Sequence, residues 1–111
     1  MKRNKYHALI LNDNDNVAVI TNSNGIKAGM PVYAKGSTTE KTVNAVSDIP
    51  FTHKIALSHI KKGESIIKYG YAVGAALTDI SAGQLVDHYN IAGKRSLTDI
   101  SILKNPEEEI K

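Results

Sequence analysis

Apolar residues in this chain come in short runs, each closed within a few positions by glycine, proline, asparagine or aspartate. The runs Tyr6–Leu11, Val17–Ile20, Thr42–Val46, Ile55–Leu57, Ile66–Tyr69 and Tyr71–Leu77 have strand length, and Thr42–Val46 alternates apolar with polar. Between them lie turn-forming stretches: Asn12–Asn16, Asn22–Gly25, Ala34–Glu40 and Ser47–Pro50. The run from Ala72 to Leu77 could also be a helical turn, but Gly70 and Gly74 beside it favour a strand. No segment shows a helical apolar stripe of useful length. The pattern therefore predicts an all-β domain of short strands.

One local pattern recurs. Written Ile-x-x-Gly-x-x-Val/Ile, it stands at Ile26-Gly29-Val32, Ile60-Gly63-Ile66 and Ile80-Gly83-Val86, with a degenerate copy at Ile49-Thr52-Ile55. The physical content is a corner: an apolar anchor, two small or polar residues, and a glycine that adopts positive φ without a Cβ clash. The spacing between copies is uneven, which argues against a solenoid and for one compact fold that reuses a corner.

Composition mainly excludes. The chain has 111 residues, 41% of them apolar, and no cysteine, so disulfides, thiolate metal sites and cysteine nucleophiles are ruled out. The net charge of +3 is spread over Lys2-Arg3-Lys5, Lys61-Lys62 and Lys94-Arg95 rather than gathered, so solvated surface charge is expected and nucleic-acid binding is not. The apolar run near the start is too short for a signal peptide, and none reaches membrane-spanning length. Cytoplasmic residence without membrane association is the expectation.

The centre of the chain carries a family resemblance. Asp48-Ile49-Pro50, His53-Lys54, Ala56-Leu57, then Ile60, Gly63-Glu64, Ile67-Lys68-Tyr69-Gly70, Ile80, Ala82-Gly83 and Asn90 together resemble the SAF domain of the altronate and galactarate dehydratases. The same module is similar to the small subunit of sulfolactate sulfo-lyase. The resemblance implies a β-clip fold over residues 1–95, followed by a C-terminal extension with an acidic tail at 96–111. It further implies a small, non-catalytic or accessory subunit that completes the active site of a large catalytic subunit in a sugar-acid hydro-lyase, inactive alone, with self-association left open. The alternatives are a sulfo-lyase small subunit and a stand-alone carbohydrate-binding module. A divalent metal, such as iron, is implied for the assembled enzyme and none for this chain alone.

His53, Lys54 and Lys68 are the catalytic candidates, and Tyr69, Gly70 and Asn90 the candidates for a substrate or partner surface. Asp87 and His88 are candidate metal ligands, although neighbours on a strand point to opposite faces. The bland readings are a His53 that bonds only backbone, a snorkelling Lys68 and a core Tyr69. Two departures from the family pattern bear on the site. Thr52-His53-Lys54 stands where the family has Gly-His-Lys, and Val86-Asp87-His88-Tyr89-Asn90 stands where it has Val-His-x-His-Asn.

Overall fold

The computed structural model describes residues 6–87 and 90–93. Among them no helix occurs, and nine short strands form two sheets: β1 (Ala8–Leu9), β2 (Val17–Ile20), β3 (Pro31–Lys35), β4 (Glu40–Asn44), β5 (Lys54–Ala56), β6 (Ser65–Lys68), β7 (Tyr71–Ala76), β8 (Leu85–Val86) and β9 (Ile91–Gly93). The larger sheet has the order β4-β3-β1-β2-β5-β8 and the smaller β6-β7-β9. All pairings are antiparallel except β1 with β3. The fold is the all-β, SAF-like architecture expected of the sequence.

The four corner motifs build the same object four times. At each, the residue in the glycine position donates its N–H to a passing strand: Gly29 to Ala45, Thr52 to Ile20, Gly63 to Ala76 and Gly83 to Ala56, over 2.7–2.9 Å. The following N–H closes the turn onto the residue three before it, as Met30 does to Lys27, His53 to Pro50, Glu64 to Lys61 and Gln84 to Ser81. The passing strand then returns a bond to that residue's carbonyl. Gly29, Gly63 and Gly83 have φ near +90°, and Thr52 is forced to +75°. The threonine copy is thus a full corner, made by a residue that pays for the conformation with steric strain.

The corners also pair. Ile26 and Ile49 exchange two backbone hydrogen bonds of 2.8 Å, and so do Ile60 and Ile80. The aspartate before the second isoleucine of each pair caps the other corner: Asp48 Oδ1 accepts from Ala28 N, and Asp79 Oδ1 from Lys62 N, both at 2.8 Å. The chain from β2 to β5 and the chain from β5 to β8 are therefore two similar units that share β5.

That shared position explains the core. Alternation along β2 and β5 sends Ala18, Ile20 and Ile55 into one apolar cluster, with Ile26, Val32 and Ile49, and sends Val17 and Ala56 into a second, with Ile60, Ile66, Ile80 and Val86. Each fully buried isoleucine contributes roughly 1.5–3 kcal/mol of transfer free energy. The second cluster is the seam between the sheets. Val19 and Val86 lie opposite Lys54, so Lys54 points to the seam side of β5, at its rim.

Element boundaries differ from the pattern in instructive places. Of Tyr6–Leu11 only Ala8–Leu9 is ladder, because the chain already turns at Asn12, whose N–H is taken by Asp15. Of Thr42–Val46 the last two residues leave the strand to serve two corners: Ala45 bonds Gly29 and Met30, and Val46 N donates to Gly83 O. The Ala34–Glu40 stretch is a hairpin instead of an open loop, with only residues 36–39 outside the strands β3 and β4. Tyr71–Ala76 is a strand, as preferred over the helical turn. The residues 97–103 and the acidic tail lie outside the described residues.

Candidate functional site

Strands β6 and β7 meet in a two-residue turn, Tyr69-Gly70, with Lys68 opposite Tyr71. Both turn residues have positive φ, +57° and +79°, as this tight hairpin requires, and tyrosine is an unusual choice for it. What holds the turn is Asp15. Its side chain, only 5% exposed, accepts from Gly70 N at 2.8 Å, from Tyr69 N at 3.0 Å and from Asn12 N at 3.1 Å. Next to it Asn16 accepts from Ile67 N at 2.8 Å and donates to Ser65 O at 3.0 Å, which closes the free edge of β6. Asp13 in the same loop bonds Thr38 in the β3–β4 hairpin. The polar loop 12–16 therefore grips both hairpin tips. Sequence reading took it only as a turn; the alternation Asn-Asp-Asn-Asp-Asn was a signal of side chains that bond backbone, but nothing local named partners more than fifty residues away.

The sequence-predicted residues separate into those the fold brings together and those it does not. Lys54 is half-buried at the seam; burial pulls its pKa below the ordinary lysine value, the charge of Lys68 lowers it further, and the carboxylate of Asp87 opposes both. His53, half-buried one residue earlier, faces Asp87 Oδ2 with Nε2 at 3.5 Å and the Phe51 carbonyl with Nδ1 at 3.3 Å. His53 thus does more than bond backbone. Lys68 holds its ammonium 5.4 Å from the ring centre of Tyr69. Lys54 thus feels the charges of Lys68 and Asp87, and Asp87 faces His53, so these four candidates form one electrostatically linked cluster.

Tyr69 is no core residue: it is 59% exposed, and Tyr71 beside it 74%. Gly70 is exposed too, but its requirement for glycine is internal, since a Cβ there would meet the Asn12 side chain at 3.0 Å in a backbone already at positive φ. Asn90 is the displaced candidate. Only 2% exposed, it donates from Nδ2 to Leu85 O at 2.7 Å and accepts at Oδ1 from Asp87 N at 2.8 Å, so it offers no surface and instead braces the turn that carries Asp87. His88 and Tyr89 lie outside the described residues.

The altronate/galactarate dehydratase SAF domain model matches residues 6–94. This chain belongs to that family. Among curated proteins, the SAF domain is similar to galactarate dehydratase (L-threo-forming) of Escherichia coli strain K12, 39% identical over 67 residues, which is 60% of this chain and 12% of that protein. It is likewise similar to altronate dehydratase of the same strain, 39% identical over 75 residues, 68% of this chain and 13% of that protein. The chain thus spans 12–13% of the length of these curated relatives.

Among the described residues no group of three or more His, Asp or Glu side chains gathers as a ligand set. Of the described candidates, His53 and Asp87 face each other at 3.5 Å. What the cluster can do is electrostatic: the charges of Lys68 and Asp87 act in opposite senses on a half-buried Lys54, and Asp87 faces His53. Among the described residues no helix is long and apolar enough to cross a membrane.

Proposed function

We propose that this SAF domain is the accessory module of a sugar-acid hydro-lyase acting on altronate- or galactarate-like substrates, and that it completes the active site of a catalytic subunit on another polypeptide. The observation that carries the reading is the cluster of His53, Lys54, Lys68 and Asp87 at the seam, flanked by the exposed Tyr69 and Tyr71. Elimination of water beside a carboxylate needs a base, cationic help for the enediolate and an acid for the leaving hydroxyl. The cluster offers ionisable groups of both signs but no complete set, which suits a contributor more than a self-sufficient centre. Along the hairpin, Tyr69, Tyr71 and Val73 are exposed, with Leu77 just beyond β7, and these apolar surfaces support docking of that subunit next to the cluster.

The test is co-expression with a catalytic dehydratase subunit. A stable complex, with dehydration of altronate or galactarate that neither component achieves alone, is the expected result. No complex and no gain in turnover would remove the reading, and release of sulfite from sulfolactate in place of dehydration would reassign the module to a sulfo-lyase.

A further inference from the structure

We propose that Tyr69 is the anchor of an interface: its ring, presented by the β6–β7 turn, enters an apolar pocket on the catalytic subunit that this module serves. The inference rests on the hydro-lyase reading and adds to it which side chain makes the contact and why a tyrosine stands there.

The first support is the backbone. Tyr69 and Gly70 are the two central residues of the turn, at φ +57° and +79°. Turns of this kind favour asparagine followed by glycine, because asparagine tolerates the left-handed region and a bulky side chain does not. Glycine stands at 70, but tyrosine stands at 69, so an easier residue exists and is not used. Nor does the ring fill the core: it is 59% exposed, and the Lys68 ammonium lies 5.4 Å from its centre. A strained residue that contributes little to its own domain points to a role outside it.

The second support is rigidity. The buried Asp15 carboxylate accepts from Tyr69 N at 3.0 Å and from Gly70 N at 2.8 Å, which ties the turn to the loop 12–16. A side chain carried on backbone that is already ordered loses less entropy on association, so it binds more tightly for the same contact.

The third support is the surroundings. Tyr71 and Val73 on β7 and Leu77 just beyond it are exposed. Val73 is the extra residue of a β-bulge, since Ile66 pairs with Gly74 and Ile67 with Ala72. Bulges re-aim side chains and recur beside functional surfaces. Asn16 already occupies the edge of β6 through Ile67 N and Ser65 O, so a partner meets side chains here and does not add a strand. Among apolar side chains tyrosine suits the central position, because it brings a large rigid ring with few rotatable bonds.

In the curated relatives the matching stretch is 12–13% of the chain, which points to the remainder of such an enzyme, here a catalytic subunit, as the occupant. A second copy of this chain is the rival occupant.

The experiment compares the parent chain with Tyr69→Asn and Tyr69→Phe in three measurements: calorimetric titration into a catalytic dehydratase subunit, urea unfolding of the free chain, and its sedimentation. Tyr69→Asn removes the ring but suits the turn, so the urea midpoint should not fall, while affinity for the subunit drops about thirtyfold or more, the loss expected of a hot-spot side chain. Tyr69→Phe keeps the ring and should bind within about threefold of the parent. Binding unaltered by Tyr69→Asn, or lost equally with Tyr69→Phe, would overturn the anchor. A lowered urea midpoint for Tyr69→Asn would overturn it too, because the ring would then serve its own domain. A dimer of the free chain that Tyr69→Asn dissociates would assign the ring to a second copy instead. The two readings fail separately: a Tyr69→Asn chain that assembles and supports dehydration as the parent does removes the anchor and leaves the hydro-lyase assignment standing, whereas a parent chain that binds no catalytic subunit removes both.

Discussion

Replacing Asp15 by alanine removes, in one step, the acceptor of three backbone N–H groups on two segments far apart in sequence. Hydrogen bonds to a charged acceptor contribute about 1.5–3 kcal/mol each when their donors are left without a substitute. Here Tyr69, Gly70 and Asn12 are exposed residues, so water replaces part of the loss and about 1 kcal/mol per bond is the appropriate figure. The sum is about 3 kcal/mol, which for a domain of this size lowers the melting temperature by about 15 °C. Asp15→Asn keeps one oxygen acceptor but turns an amide towards the remaining N–H groups, so about half the loss is expected. Urea unfolding measures the energy, and amide hydrogen exchange measures its place: protection at Tyr69 and Gly70 should fall while that of β3 and β4 is unaffected until global unfolding. A loss under about 0.5 kcal/mol, or unaltered exchange at those two amides, would refute the claim that Asp15 holds the hairpin tip.

The glycine corners predict a graded series. Gly83→Ala places a Cβ 1.9 Å from the Asn44 carbonyl oxygen at φ +88°, and should cost about 3–5 kcal/mol or prevent folding. Gly29→Ala and Gly63→Ala meet nothing within 4 Å and should cost only about 1–2 kcal/mol from φ; equal losses at all three by urea unfolding would contradict the packing argument. Thr52→Gly relieves a β-branched residue at positive φ, and should stabilise the domain by about 1 kcal/mol after the added entropy of the unfolded chain; a melt showing destabilisation would locate an unrecognised contact of Thr52. Lys54 predicts a pH dependence. Because its folded pKa lies below 10.5, the unfolded chain holds more protons than the folded one as pH approaches 10.5, so stability increases through that window. Lys54→Met should therefore be more stable than the parent at neutral pH, with an advantage that shrinks in alkaline solution; an advantage that grows with pH would reverse the assigned sign.

Legibility of the chain divides by distance along it. The corners could be read because everything that makes one is local: an apolar anchor, a turn bond across three residues, and a positive φ. Even the threonine copy was visible as a corner. The pairing of Ile26 with Ile49 and Ile60 with Ile80 was not, although Asp48 and Asp79, each directly before the second isoleucine, marked it in retrospect. Strand ends were misread at Leu11 and at Ala45-Val46, where a residue of good strand propensity is bonded across to a corner. The bonding of Asp15 and the burial of Asn90 were not legible, for a shared reason. Each is a buried polar side chain bonded to backbone groups, and neither burial nor partner identity has a signature in residue type.

From residue order alone came the class of fold, the recurring bends and the set of ionisable side chains available to chemistry, because turn geometry and apolar alternation act over a handful of positions. Only the folded chain decided that the charges of Lys68 and Asp87 act on Lys54, that Asp87 faces His53, and that Asn90 is buried. That arrangement depends on strand register and on which sheet a hairpin tip leans against. Those are set by packing between segments distant in sequence, where no local preference reaches.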